Sequence, residues 1–324
     1  MIYETAHQSG IRPERPMAIA TIASQQAITA SPVAAATAAM IGLFAEKGMT
    51  QWGLPEILMI CVPATLTGVL VAAIVSMFLG KDLKDDPEYQ ARLEAGQIPT
   101  PKAAADRPPL KPAARLSAYL FLAGVALVVL FGFFPELRRL PGAKTPLGMP
   151  IVIEIVMMAV AAIMLMATRV NVDEVPKTAT LRAGVVAVIG IFGLAWLGDS
   201  FIAAHKDVIV PAIGHWAEAA PWTFAFGLFF ASVLLYSQAA TTRALMPLGI
   251  ALGIPPQFLI AMFPSVNGYF FIPTYGSLIA AINFDLSGTT KIGKYVLNHS
   301  FMIPGLVATV VAVTTGLLLA RVMF

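Results

Sequence analysis

Long apolar runs separated by short polar segments dominate the pattern along the chain. Each run has the roughly 18 to 25 residues that an α-helix needs to cross about 30 Å of hydrocarbon. The short alternating segments of a membrane β-barrel are absent from the sequence. The pattern therefore predicts an all-α, polytopic transmembrane helical bundle. The expected spans cover residues 17–45, 54–79, 117–134, 149–168, 183–203, 222–252, 256–283 and 299–323.

Three of these runs are too interrupted to be simple helices. Residues 17–45 are broken at Ser31–Pro32, and residues 256–283 are broken at Pro273. A proline inside a membrane helix removes a backbone hydrogen bond. Irregular backbone at that depth survives only where it is buried in protein or lines a watery cavity. We therefore expect two broken helices, and a re-entrant hairpin over residues 222–252.

The two broken spans resemble each other and form an internal repeat. The segments IRPERPMAIATIASQQAITASPVAAATAAMI (11–41) and IPPQFLIAMFPSVNGYFFIPTYGSLIAAINF (254–284) share a proline entry, a polar midpoint and a proline break. With the expected spans placed in order, these two segments run through the membrane in opposite directions. Inverted repeats with broken helices are a signature of secondary transporters, which hold the substrate near the midplane. A hairpin precedes the second repeat, so we expect its counterpart to lie before Met1, in a longer transporter.

A polar, proline-rich stretch at 81–116 divides the chain. We expect residues 1–80 to hold the C-terminal part of the first repeat, and residues 117–324 to hold the second repeat with its hairpin. Short loops rich in Lys and Arg mark the cytoplasmic side of a membrane protein. Most basic residues fall on one side when 81–116 is placed inside. The connector is therefore predicted to be cytoplasmic.

Composition narrows the class of function. Only 12% of the residues are charged and the mean hydropathy is +0.78, whereas soluble domains carry about 25% charged residues. The net charge of +3 is small and is explained by basic residues in the loops, so no nucleic-acid partner is expected. The sequence has no HExxH or GxSxG motif and no histidine spacing typical of a metal site. We expect no enzyme activity, no metal and no cofactor, and leave coupling to protons or sodium open.

Polar side chains at the predicted breaks form the candidate substrate site. A half-helix that starts at a break presents free N–H groups and a positive dipole end, so an anion is the expected occupant. These side chains either bind a carboxylate of the substrate or only form hydrogen bonds with nearby backbone groups. The candidates are Ser24, Gln25, Gln26, Ser31 and Pro32 in the first break, Ser237, Gln238, Thr241 and Thr242 in the hairpin, and Asn267, Gly268, Pro273, Thr274 and Tyr275 in the second break.

Arg243 is the basic residue within a segment at membrane depth. A buried arginine is costly and usually has a partner, and a guanidinium pairs well with a carboxylate. Three readings stay open: contact with the substrate or a gating role, snorkelling of the side chain to the interface, and a structural ion pair.

Several stretches carry a family resemblance: IRPERPMA…ASP, YSQAATT, PTYGSLIAAINFDLSGTTKIGKYVLNHSF and IPGL. On these motifs the chain resembles the anaerobic C4-dicarboxylate transporters of the Dcu type over nearly its whole length, most weakly in 81–116. The resemblance implies a multi-pass carrier of the bacterial inner membrane that takes up, exchanges or releases fumarate, malate, aspartate and succinate. A carrier of another organic anion in the same superfamily is the alternative. The oligomeric state is open, and a homo-oligomer is compatible with this class.

Overall fold

The computed structural model describes residues 2–98, 111–142, 146–178 and 220–324, with single residues at 181, 185, 200 and 204. The described part is helical apart from one isolated bridge between Ile292 and His299. Its α-helices, numbered here in chain order, are α1 (Ile2–Gln8), α2 (Glu14–Gln26), α3 (Ala35–Glu46), α4 (Leu54–Met77), α5 (Pro87–Glu94), α6 (Pro112–Phe133), α7 (Met149–Thr168), α8 (Phe224–Leu235), α9 (Gln238–Ala251), α10 (Pro256–Met262), α11 (Gly276–Phe284) and α12 (Met302–Met323). Short 3-10 helices cover Leu83–Asp85, Pro135–Arg138, Val172–Lys177, Pro221–Thr223 and Phe263–Phe270.

Four helices among the described residues are long and apolar enough to cross a membrane. They are α4, α6, α7 and α12, with 24, 22, 20 and 22 residues. They coincide with the predicted spans 54–79, 117–134, 149–168 and 299–323. This finding confirms the prediction of an all-α, polytopic membrane protein. The predicted span at 183–203 and part of the connector lie outside the described residues.

The central pair of helices is α4 and α12, which pack in opposite directions. Gly68 lies so close to α12 that a Cβ there would collide with the carbonyl oxygen of Ala308. Small residues permit this close approach between membrane helices. The start of α4 and the end of α12 also meet, because the rings of Trp52 and Phe324 are 4.9 Å apart. We call this the outer end of the bundle, following the predicted orientation, and the opposite end the inner end.

Helices α8 and α9 form a hairpin that is too short to cross a membrane. With 12 and 14 residues, they are about 18 and 21 Å long, against about 30 Å of hydrocarbon. The open ends of the two helices pack together, because a Cβ at Gly249 would stand 2.8 Å from the ring of Phe224. The tip of the hairpin, formed by Tyr236 and Ser237, therefore points into the bundle.

The two broken spans run in opposite directions. The first, α2 followed by α3, starts at the inner end, where Arg15 donates to the carbonyl oxygen of Leu79 just after α4. The second, α10 followed by a 3-10 helix and α11, starts nearer the outer end, because Gly316 late in α12 packs against Ala261. These opposed directions are the ones that an inverted repeat requires.

The first break begins earlier in the chain than expected and includes Ser31–Pro32. The sequence placed it at Ser31–Pro32, but α2 ends at Gln26 and α3 begins only at Ala35. Between them, successive N–H groups bond to carbonyls three residues back, as Ser31 does to Ile28. Pro32 has no N–H group and restricts the residue before it, so these tight turns cannot continue into α3.

The described part of the connector is tied to the inner end by charged side chains. The guanidinium of Arg12 pairs with Asp86, and Lys291 pairs with Glu88. Burial alone raises the pKa of Asp86, but the hydrogen bonds that its carboxylate accepts from Arg12 and from the backbone N–H groups of Tyr89 and Glu88 outweigh burial. The pKa of Asp86 therefore lies below its usual range, and the pair with Arg12 stays charged at neutral pH.

Candidate functional site

Buried amide side chains from both broken spans and from the hairpin meet inside the bundle. Asn267 Nδ2 donates to Gln26 Oε1 at 3.1 Å, and Gln238 Nε2 donates to Asn267 Oδ1 at 3.1 Å. Gln26 Nε2 donates to Thr309 Oγ1 at 2.9 Å, and Gln238 Nε2 also donates to the hydroxyl of Tyr269 at 2.6 Å. All five side chains are buried. We call Gln26, Gln238, Asn267, Tyr269 and Thr309 the central amide cluster.

The second broken span bends at Asn267. Its backbone leaves the helical conformation there, with φ −95° and ψ 18°, and its side chain donates to the carbonyl oxygen of Pro264 at 3.1 Å. The next residue, Gly268, donates its N–H to Ser232 Oγ of the hairpin at 2.8 Å. A Cβ on Gly268 would stand 2.6 Å from the carbonyl oxygen of Phe229. Glycine is therefore needed for the close approach of this bend to the hairpin.

Three half-length helices, α3, α9 and α11, begin at these breaks. Helix α9 starts with Gln238, and α11 starts beside the first broken span, because Gln25 Nε2 donates to Ser277 Oγ at 3.2 Å. Helix α3 packs along α9. The first N–H groups of a helix have no partner inside it and carry a partial positive charge. The sequence has no Asp or Glu in 16–45 or 222–284, so these breaks favour an anion.

The hairpin tip and the start of α11 are joined by tyrosines and a threonine. The hydroxyls of Tyr236 and Thr274 share a hydrogen bond of 2.6 Å. The rings of Tyr236 and Tyr275 stack 6.4 Å apart, and Tyr275 also contacts Tyr269 at 4.4 Å. Tyr236 has a left-handed backbone with φ 51°, which costs a bulky residue about 1–3 kcal/mol. Such strain is often found at functional sites.

Several predicted residues come together here. Gln238 and Asn267 belong to the central amide cluster, and Gly268 lies beside it. Ser237 accepts a hydrogen bond from the N–H of Ala240 and so caps α9. Thr274 and Tyr275 stand at the start of α11, where they contact the hairpin tip. Pro273 is buried just before them.

Other predicted residues do not join the cluster. Thr241 and Thr242 lie within α9, and their hydroxyls donate to the carbonyl oxygens of Ser237 and Gln238 at 2.7 Å. Ser24 is exposed and donates to its own helix at 2.7 Å. Ser31 and Pro32 lie in the irregular segment before α3 and are half-buried.

Arg243 points away from the central amide cluster. It lies five residues after Gln238, which at 3.6 residues per turn is about 140° around α9. Its side chain is exposed, and no hydrogen bond or ion pair joins it to the described residues. A structural ion pair is therefore not observed in the described part of the chain, while the other two readings stay open.

Sequence reasoning missed several polar residues of this region. Tyr236, Tyr269 and Ser277 flank residues that it did select, so their proximity could have drawn attention to them. Ser232 and Thr309 are hydroxyl residues inside apolar helices. Nothing in their local pattern distinguishes them from ordinary hydroxyls that bond to their own helix.

A mostly apolar cavity lies elsewhere. A groove of about 450 Å³ runs between α8 and α12, and Phe226, Phe230 and Val310 are among the residues that line it. It borders Ser265, Thr309 and Thr314, but most of its lining is apolar and it has no charged side chain. A charged substrate would lose its hydration there without gaining partners. The groove is therefore a poor site for an anion.

A polytopic helical bundle with a short hairpin and two opposed broken spans, meeting at a polar centre, defines a secondary-transporter class of membrane protein. Comparison with known proteins specifies the family. The family described as "Anaerobic c4-dicarboxylate membrane transporter" matches residues 1–324, and the chain belongs to it. The chain is therefore an integral membrane protein of a transporter family and not of an enzyme family.

Relatives in this family cover the chain from end to end. A C4-dicarboxylate transporter DcuA of Wolinella succinogenes is 38% identical over 324 residues, which are 100% of this chain and 73% of the relative. DcuA of Escherichia coli strain K12 is also 38% identical over 324 residues, 100% of this chain and 74% of the relative. The anaerobic C4-dicarboxylate transporter DcuB of Escherichia coli O6:H1 is 35% identical over 326 residues, 99% of this chain and 73% of the relative. No solved structure matches the chain.

Proposed function

We propose that the chain carries C4-dicarboxylates such as fumarate, malate, aspartate and succinate across the bacterial inner membrane by exchange. The observation that carries this proposal is the meeting of the hairpin and both broken spans at buried Gln26, Gln238 and Asn267. The printed function of the relatives, C4-dicarboxylate transport, supports the same substrate class.

The chemistry of the breaks suits a substrate with two negative charges. Amide and hydroxyl donors and the starts of α3, α9 and α11 can bind carboxylates without a full counter-charge for each. Helices α3 and α9 run from the breaks toward the outer end, whereas α11 runs toward the inner end. A dicarboxylate lying between these helix starts would have a positive end facing each of its carboxylates.

In this proposal, the candidate residues form one substrate site. Ser237, Gln238, Asn267, Gly268, Thr274 and Tyr275 contribute directly for every substrate, and Gln25 lies beside them at the start of α11. The surrounding helix ends are shaped by Thr241, Thr242, Pro273, Ser24, Ser31 and Pro32. Residues 1–80 contribute the C-terminal part of the first repeat, residues 117–324 contribute the second repeat, and the 81–116 connector is cytoplasmic.

Arg243 supplies a positive charge near the hairpin without touching the cluster. Because its side chain is exposed, solvent and salt screen this charge, and its effect on a bound anion is modest. The attraction grows with the charge of the ligand, so Arg243→Gln should weaken binding of succinate more than binding of its singly charged monomethyl ester. Equal effects on the two anions would refute this role.

The function is tested by exchange in proteoliposomes. Vesicles containing the purified chain are loaded with succinate, and entry of labelled succinate is measured with unlabelled competitors outside. Fumarate and malate should compete, whereas acetate should not. Exchange of monocarboxylates alone would refute the substrate class. Competition by a different organic anion, with no competition by fumarate, would favour the alternative.

Two further measurements address the coupling ion and the oligomeric state. Repeating the assay with and without proton and sodium gradients identifies the coupling ion. The mass of the detergent-solubilised particle tests for a homo-oligomer.

A further inference from the structure

Gln25 carries a buried acceptor that no donor among the described residues satisfies. The residue is 3% exposed, its Nε2 donates to Ser277 Oγ at 3.2 Å, and its Oε1 has no hydrogen-bond partner in the part of the chain that the structure describes. A buried polar atom left unpaired costs about 1–3 kcal/mol. Of the five unpaired buried side-chain atoms among the described residues, Gln25 Oε1 is the one that lies at the start of α11, and ligand binding is one reason to keep such a group.

The unpaired oxygen stands next to groups that suit a carboxylate. Ser277 lies in the first turn of the nine-residue helix α11, where the N–H groups of Gly276 and Ser277 have no partner within the helix. Gly276 and Thr274 are exposed. The hydroxyl of Thr274 faces that of Tyr236 on the hairpin. Several donors and one unpaired acceptor therefore lie at the start of α11.

We infer that Gln25 Oε1 accepts a hydrogen bond from the substituent on carbon 2 of the substrate, and so favours malate and aspartate over succinate and fumarate. This inference rests on the proposed function. The amides at the start of α11 bind the adjacent carboxylate, and carbon 2 is directly bonded to that carboxylate. A hydroxyl or ammonium on carbon 2 therefore reaches the neighbouring Gln25, whereas succinate and fumarate have no donor to offer there.

The opposite orientation of the amide makes a different prediction. If the amide turned over, Ser277 could donate to Oε1, and Nε2 would face the site as a donor. It would then bind the carboxylate itself, which all four substrates share. Gln25 would contribute equally to each of them, so comparison between substrates separates the two arrangements.

The first test compares ligands on the unchanged protein. Affinities of malate and 2-methylsuccinate are measured by competition against labelled succinate. The two competitors have similar shapes, but only malate has a donor on carbon 2. One neutral hydrogen bond contributes about 0.5–1.5 kcal/mol, so malate should bind about 2- to 12-fold more tightly. Equal affinities would overturn the inference.

The second test removes the acceptor. Gln25→Met keeps a similar volume without a hydrogen-bonding oxygen, and Thr21→Ala, on the same helix, removes a hydroxyl that bonds to its own helix. Gln25→Met should weaken malate about 2- to 12-fold and aspartate more strongly, while changing succinate less than twofold. Thr21→Ala should change none of them.

Three outcomes are informative beyond the expected one. Equal weakening of all four substrates by Gln25→Met assigns the residue to the carboxylate and overturns the inference about carbon 2. No change in any affinity also overturns it. Failure of the unchanged protein to bind any C4-dicarboxylate refutes the proposed function itself, and is seen before any variant is made.

Discussion

The bend at Gly268 offers a sharp test of the site, because one added methyl group meets immovable atoms. In Gly268→Ala the new Cβ would stand 2.6 Å from the carbonyl oxygen of Phe229 and 2.7 Å from Ser232 Oγ. The new Cβ can avoid this overlap only if the hairpin moves away from the second broken span. Overpacking of this kind costs about 1–3 kcal/mol, and loss of the hydrogen bond from Gly268 to Ser232 costs about 1 kcal/mol more. The total is about 2–4 kcal/mol.

The assay measures both stability and succinate exchange. Gly268→Ala should lower the Tm of the purified protein, because the native state loses about 2–4 kcal/mol of stability. It should also reduce exchange, because the hairpin moves away from the second broken span. Gly227→Ala is the matched control, because a Cβ at Gly227 on α8 of the same hairpin meets nothing within 4 Å. It should leave exchange unchanged. Exchange and Tm of Gly268→Ala at the level of the unchanged chain would refute the packing described at this bend.

Three further predictions concern the cluster, the central helices and the inner end. Asn267→Ala and Ser237→Ala should weaken exchange without loss of membrane insertion, and unchanged kinetics in both would discard these assignments. Gly68→Ala should lower the Tm by forcing α4 from α12, where the new Cβ collides with backbone; a Tm equal to that of the unchanged chain would contradict the close packing. Glu88→Ala should change stability by less than about 1 kcal/mol, because its pair with Lys291 is largely exposed; a larger change in a denaturation curve would show that the pair is important.

Hydrophobic patterning was sufficient to locate the continuous spans. The runs that became α4, α7 and α12 are uniform over the length that crosses a bilayer, and nothing in tertiary packing displaces them.

The presence of the hairpin could also be predicted from the sequence, because the run 222–252 is interrupted by polar residues. However, Thr241 and Thr242 were among the polar residues selected in the hairpin, whereas the helix resumes already at Gln238. Thr241 and Thr242 satisfy their hydroxyls within that helix, so their polarity did not mark a turn.

The partners within the site could not be predicted from the sequence. The repeat comparison aligned Ser24 and Gln25 with Asn267 and its neighbour, but the amide that bonds to Asn267 belongs to Gln26, one position later. These two residues are separated by 241 positions. A shift of one residue rotates a helical side chain by about 100°. Only the packed structure decides which of two adjacent glutamines faces the second broken span.

The location of a bound C4-dicarboxylate tests the central claim most directly. Crystals of the protein grown with bromosuccinate, which carries bromine on carbon 2, would show the substrate as an anomalous peak. We predict the peak at the start of α11, within reach of Gln25, Gln238 and Asn267. A peak confined to the apolar groove between α8 and α12, or to the charged residues at the inner end, would contradict the claim that the two broken spans and the hairpin form the substrate site.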